Sequence, residues 1–139
     1  MIMIMVTETP SHHFVVETSA PVNGKKQRLT VASEQHAIRI ARIWNRLYII
    51  EKLTAWLLQR AYVFSITDRP HSRLACLNML SVLSGSSRDS INQVGAWVNR
   101  HSDELAFLAP GEKSRHYSHY KKIIEPILQF CREMEAVKA

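Results

Sequence analysis

Basic side chains are concentrated in one segment of the chain, where they could bind an anionic partner. Residues 24–46 contain six cations and a single acid, Glu34, whereas the rest of the chain contains 12 cations and 11 acids. Nearly all of the net charge of +6 therefore belongs to this segment. Because lysine and arginine bind phosphate groups, the segment predicts a phosphate-binding surface formed by Lys25, Lys26, Arg28, Arg39, Arg42 and Arg46. A solvated helix face next to a charged turn explains the same pattern equally well.

A second group of cations is interleaved with aromatic residues in "KSRHYSHYKK", residues 113–122. Cations and aromatic rings together suit the stacking of exposed bases, which makes Arg115, Tyr117, Lys121 and Lys122 candidate nucleic-acid ligands. The alternative, which we favour for this cluster, is that the tyrosine rings pack inward and leave only their hydroxyl groups at the rim.

The stretch "LSVLSGSSRDSINQV", residues 80–94, predicts two helices joined by a short turn at Gly85. Its spacing is similar to the helix-turn-helix of bacterial repressor-type regulators, in which the second helix enters the major groove. The resemblance implies that Ser87, Arg88, Asn92 and Gln93 are exposed and read bases. The stretch also has no net charge, and for this stretch alone we favour a plain helix corner capped by serine.

The segment "KKQRLTVASEQHAIRIARI", residues 25–43, resembles the opening of a ribbon-helix-helix protein. In that family a basic strand enters the major groove and a helix follows it. This ribbon-helix-helix resemblance agrees with the charge distribution better than the helix-turn-helix resemblance of residues 80–94 does. It departs from the family because no glycine or turn residue ends the helix before Asp68.

Residue types that support catalysis or metal binding do not occur at suitable spacings. His116 and His119 could share a helix face, but no further ligands accompany them. The four glycines are isolated, so no phosphate-binding loop is predicted. Cys76 and Cys131 are far apart and predict reduced, buried thiols. We therefore expect no enzyme activity, no metal and no cofactor.

These residues must be positioned by a mainly α fold, because glycine and proline are scarce and apolar residues recur every three or four positions. We expect a loose tail over 1–11 and a β-hairpin within about 12–32. A long helix over 33–62 and helices near 72–83, 88–101 and 114–136 follow. The predicted fold is a single-domain helical bundle over 12–139, with four to five helices, the N-terminal hairpin and a candidate helix-turn-helix corner.

The long helix has an apolar arc wider than one neighbour would need, and it includes Trp44, Tyr48 and Trp56. This favours an alternative function, a protein–protein interaction module or homodimer that uses the helix 33–62. No membrane contact is expected, because charged residues interrupt the most apolar window. The N-terminus lacks a secretory signal, which predicts a cytoplasmic protein. We rank a nucleic-acid-binding regulator or accessory subunit first, with DNA ahead of RNA as its ligand.

Overall fold

The computed structural model describes residues 4–18, 25–85, 87–113, 115, 117–119, 121–122 and 124–129. The described structure is mostly helical and has one small antiparallel sheet, which confirms the mainly α prediction. The chain divides into two compact units, Met1–Glu51 and Lys52–Ala139. The division falls inside the long helix α1 (Glu34–Ile66). The single domain over 12–139 stays a prediction.

The first unit begins with a three-stranded sheet in the order β1 (Ile4–Glu8), β2 (Phe14–Thr18) and β3 (Arg28–Val31). β2 and β3 pair antiparallel, as the hairpin prediction requires. Asn23–Gly24, a typical turn sequence between the two strands, lies outside the described residues. The expected loose tail is wrong over residues 4–8, because β1 pairs along its whole length with β2. The third strand supplies support that an isolated hairpin lacks in water.

The sheet packs on the first turns of α1, and this contact forms the core of the first unit. Ile4, Val16 and Val31 from the three strands are buried with Ala37 of the helix. The half-buried side chains that surround this cluster are Phe14, Ile40, Ala41 and Trp44. The start of the helix is fixed by Ser33, whose Oγ accepts the backbone N–H of His36 at 3.1 Å, as an N-cap does.

The second unit contains the end of α1, then α2 (Pro70–Leu83), α3 (Arg88–Arg100) and α4 (Ser102–Leu105). Residues 115, 117–119, 121–122 and 124–129 are also helical. Between α1 and α2, Asp68 takes a left-handed backbone conformation with φ of 54°, and Pro70 begins α2. Both residues act as the turn signals that the sequence predicts. The bounds of α2 and α3 agree with the predicted helices to within two residues.

A buried arginine holds the loop after α4 against α1 within the second unit. Arg60 is fully buried, and its guanidinium donates to the carbonyl oxygens of Leu105 and Phe107 at 3.0 and 2.7 Å. Its Nη2 reaches both carboxylate oxygens of Glu112 at 2.9 and 2.8 Å, and its Nε donates to Gln59 at 2.8 Å. All three nitrogens of the guanidinium thus donate hydrogen bonds, as a buried charge requires.

None of the helices in the described part of the chain is both long and apolar enough to cross a membrane.

Candidate nucleic-acid interface

The six cations of residues 24–46 are all solvent-exposed in the first unit. Within the described part of the chain none of the six forms an ion pair with an acid. The structure nevertheless separates them into groups: Arg39, Arg42 and Arg46 lie on α1, Arg28 lies on β3, and Lys25 and Lys26 precede that strand.

The three helix arginines form a stripe on the side of α1 that faces away from the sheet. The helix contacts the sheet through Ala37, Ile40, Ala41 and Trp44. With 3.6 residues per turn, the mean direction of the arginines is about 180° around the helix axis from that contact. The stripe spans about 10 Å along the axis, since each residue rises 1.5 Å. We call Arg39, Arg42 and Arg46 the arginine stripe.

Arg28 does not belong to this stripe. Alternate residues of a strand point to opposite faces of a sheet. Val31 packs against α1, so Arg28 lies on the other face of the sheet, opposite Glu17 in the register of β2 and β3. The arginine stripe and Arg28 consequently point to opposite sides of the first unit. The prediction of one surface formed by all six cations is wrong in this respect.

The corner of residues 80–94 is built from α2 and α3, and only part of the predicted reading face is exposed. Ser87, Arg88 and Gln93 are exposed, as expected. The prediction is wrong for Asn92, which is only 5% exposed, and neither atom of its amide has a hydrogen-bond partner among the described residues. Asn92 adjoins the small, buried Gly95 one turn further along α3, which widens the buried face of this helix.

Two residues of the corner have clear structural roles. Ser87 caps α3, because its Oγ accepts the backbone N–H of Ser90 at 3.0 Å. Gly85 was expected to supply a left-handed turn, but its φ is not positive. A Cβ atom at Gly85 would instead lie 2.9 Å from Oγ of Ser90 and 3.3 Å from the carbonyl oxygen of Val82. The glycine therefore permits a close approach, and the serine-capped interpretation of the corner accounts for both residues.

The cluster of residues 113–122 presents exposed cations but not an exposed aromatic platform. Arg115, Lys121 and Lys122 are exposed. The Nζ atom of Lys121 lies 3.6 Å from Oε1 of Glu125. Tyr117 is half-buried, and the guanidinium carbon of Arg60 lies 5.3 Å from the centre of its ring. Through this cation–π contact, the ring of Tyr117 interacts with a side chain of the protein itself. The geometry thus supports the inward-packing interpretation of Tyr117 over base stacking.

The buried ion pair between Arg60 and Glu112 was not predicted from the sequence, although the sequence contains one signal for it. Arg60 interrupts the most apolar window of the chain, and a cation at a core position needs a buried partner. The partner could not be identified, because Glu112 is far away in the sequence and reaches Arg60 only through the fold. Tyr48 and Trp56 were expected on an interaction face of α1. Both are buried instead, with 7% and 5% of their surface exposed.

Tyr48 and Cys76 have shifted pKa values, and neither residue belongs to the arginine stripe. Burial raises the pKa of the Tyr48 hydroxyl, and the carboxylate of Glu51 raises it further. Burial likewise raises the pKa of the Cys76 thiol to about 11; Glu104 adds to the shift and Arg60 opposes it. Both groups are neutral at neutral pH. Within the described residues, no three His, Cys, Asp or Glu side chains are grouped in a way that could hold a metal ion.

Comparison of the chain with protein families, with curated proteins and with solved structures found no match.

Proposed function

We propose that the protein binds nucleic acid, DNA in preference to RNA, through the arginine stripe of α1. The observation that carries the proposal is the set of three exposed guanidinium groups on one face of a capped helix, none paired with an acid of the described chain. Arginine suits phosphate because its planar guanidinium donates two parallel hydrogen bonds to the oxygens. An α-helix also has the right width to enter or lie along the major groove.

The dimensions of the stripe agree with a duplex ligand. Duplex DNA carries one negative charge for about every 1.7 Å of its axis. A stripe of about 10 Å therefore faces several phosphates at once. Lys25 and Lys26 are also exposed in the same unit and add to its positive charge. Contacts of this kind fix position and supply affinity, but they do not read the base sequence.

Recognition of a particular base sequence would need a second element of the protein. The corner formed by α2 and α3 is the candidate for this role. Arg88 and Gln93 are exposed on α3 and suit guanine and adenine respectively. The burial of Asn92 leaves this face with fewer base-reading groups than the helix-turn-helix resemblance implies. A role as a regulator rests on this corner, whereas a role as an accessory subunit of a nucleoprotein complex needs only the arginine stripe.

The proposal is tested by fluorescence anisotropy with labelled duplex DNA, single-stranded DNA and RNA at low salt. We expect saturable binding to the duplex, with weaker binding to the other two ligands. Gln93→Ala then separates the two roles: a changed preference among duplex sequences supports reading by the corner, and an unchanged preference assigns the corner to the scaffold. Absence of duplex binding at low salt would contradict the proposed function.

A second function, protein–protein interaction, is favoured by a different part of α1. Leu58, Tyr62 and Ile66 are spaced four residues apart, so they share one face of the helix, and they are 53%, 65% and 56% exposed. Large apolar side chains in a continuous exposed row are typical of interfaces. This row replaces Trp44, Tyr48 and Trp56 of the sequence-based prediction, which are buried or half-buried.

Sedimentation equilibrium tests this second function in the form of a homodimer. If the row is a dimer interface, the protein sediments as a dimer, and Tyr62→Glu converts it to a monomer because the interface would bury a charge. The matched control is Leu74→Glu, which charges an equally exposed leucine on α2. A monomeric protein, or equal dissociation by both substitutions, would count against a dimer formed through this row.

A further inference from the structure

A groove of about 620 Å³ opens in the second unit between α1, α3 and the helical residues near the C-terminus. Its volume falls within the range of about 300–1,000 Å³ that is usual for small-molecule sites. The apolar part of its lining includes Trp56, Val98, Ile124 and Leu128. None of the residues of the arginine stripe lines this groove, so it is independent of the proposed nucleic-acid surface.

One residue of the groove lining, Trp56, has a buried hydrogen-bond donor with no partner among the described residues. Trp56 is 5% exposed, and its indole Nε1 has no acceptor among the described residues. Leaving a buried polar group without a partner costs on the order of 1–3 kcal/mol. An acceptor oxygen of a ligand within the groove would remove this cost.

The rim of the groove has a positive charge that is not fully balanced. Lys121 and Lys122 both line it, together with the acid Glu125. Glu125 lies 3.6 Å from Lys121, whereas Lys122 is exposed and forms no ion pair within the described part of the chain. A ligand that suits this lining has an apolar body and one negative charge.

The geometry points to a binding site for a small organic carboxylate with an apolar chain. The apolar chain lies against Val98, Ile124 and Leu128, and the carboxylate accepts hydrogen bonds from Lys122 and from the indole Nε1 of Trp56. A carboxylate supplies a negative charge opposite Lys122 and an acceptor oxygen for the indole N–H of Trp56. The site shares no residue with the arginine stripe, and the proposal does not depend on nucleic-acid binding.

Nuclear magnetic resonance of the three indole N–H groups, of Trp44, Trp56 and Trp97, tests the site directly. The Trp56 signal is assigned with Trp56→Phe, and ¹⁵N-labelled protein is titrated with octanoate. We expect the Trp56 signal to move progressively and to saturate, while the Trp44 signal stays in place. Acetate, which has no chain, should leave the Trp56 signal unmoved at the same concentrations.

Charge variants test the orientation of the ligand. Lys122→Gln should weaken octanoate binding about fivefold or more, because it removes the unpaired cation at the mouth. The control Lys113→Gln removes an exposed cation that does not line the groove and should leave the affinity unchanged. The site is refuted if octanoate does not move the Trp56 signal, if acetate moves it equally, if all three indole signals move together, or if the two lysine variants bind alike.

Discussion

Arg60 shows how a single side chain can organise the second unit. Its charge is removed from water, and the free energy lost is recovered only because each nitrogen of the guanidinium has an acceptor. Two of these acceptors are backbone carbonyls at residues 105 and 107, and a third is Glu112. The loop of residues 106–113 is therefore held by electrostatic contacts to α1.

Glu112→Gln should destabilise the protein strongly, because it leaves the Arg60 charge buried without its carboxylate. The free energy of unfolding should fall by about 3–5 kcal/mol, measured by urea denaturation followed by circular dichroism. Glu125→Gln is the matched control: it removes an exposed carboxylate 3.6 Å from Lys121, worth about 0.3–0.5 kcal/mol. An equal loss of unfolding free energy in the two variants would show that the buried ion pair stabilises the protein no more than the exposed one.

Cys76 should react very slowly with thiol reagents in the native protein. The thiol is buried, and its pKa of about 11 leaves about 0.1% of it ionised at pH 8. In a Cys131→Ser variant, Cys76 is the remaining thiol, and its reaction with a disulfide reagent should be at least about 100-fold slower than after denaturation. Rapid reaction of the native variant would contradict the burial of this side chain.

Among the elements, α3 depends on its N-terminal cap. Ser87→Ala removes the acceptor for the backbone N–H of Ser90 and should lower the free energy of unfolding by about 1 kcal/mol. The control Ser81→Ala changes an exposed serine inside α2, where no cap is lost, and should have an effect within about 0.5 kcal/mol. Thermal denaturation distinguishes them, and a cap role for Ser87 is ruled out if the two variants melt alike.

The elements that sequence reasoning predicted well are those with a strong local signal. The spacing of apolar residues by three and four positions predicted α1, α2 and α3, and the turn residue Asp68 marked the connection between α1 and α2. β1 was missed because the alternation in "IMVTE" is weak and its stability comes from pairing with β2. Asn92 was misplaced because the buried face of α3 is set by its packing partners, which periodicity alone does not show.

At the scale of the whole molecule, the distribution of charge is more informative than its total. The net charge of +6 arises mainly in residues 24–46, yet the fold directs these cations to different sides of the first unit. Residue counting could predict the exposed cations but not their directions, which depend on strand register and on the face of α1 that packs on the sheet. The functional claim therefore rests on three arginines and not on all six cations.

The salt dependence of duplex binding tests this claim most directly. Each phosphate contact contributes about 0.9 to the slope of log affinity against log salt concentration. A variant with Arg39→Gln, Arg42→Gln and Arg46→Gln should therefore reduce the slope by roughly three. The control, with Arg73→Gln, Arg100→Gln and Lys113→Gln, removes the same charge from exposed positions of the second unit and should keep the wild-type slope. Equal slopes for the stripe variant and the wild-type protein would contradict the proposed interface.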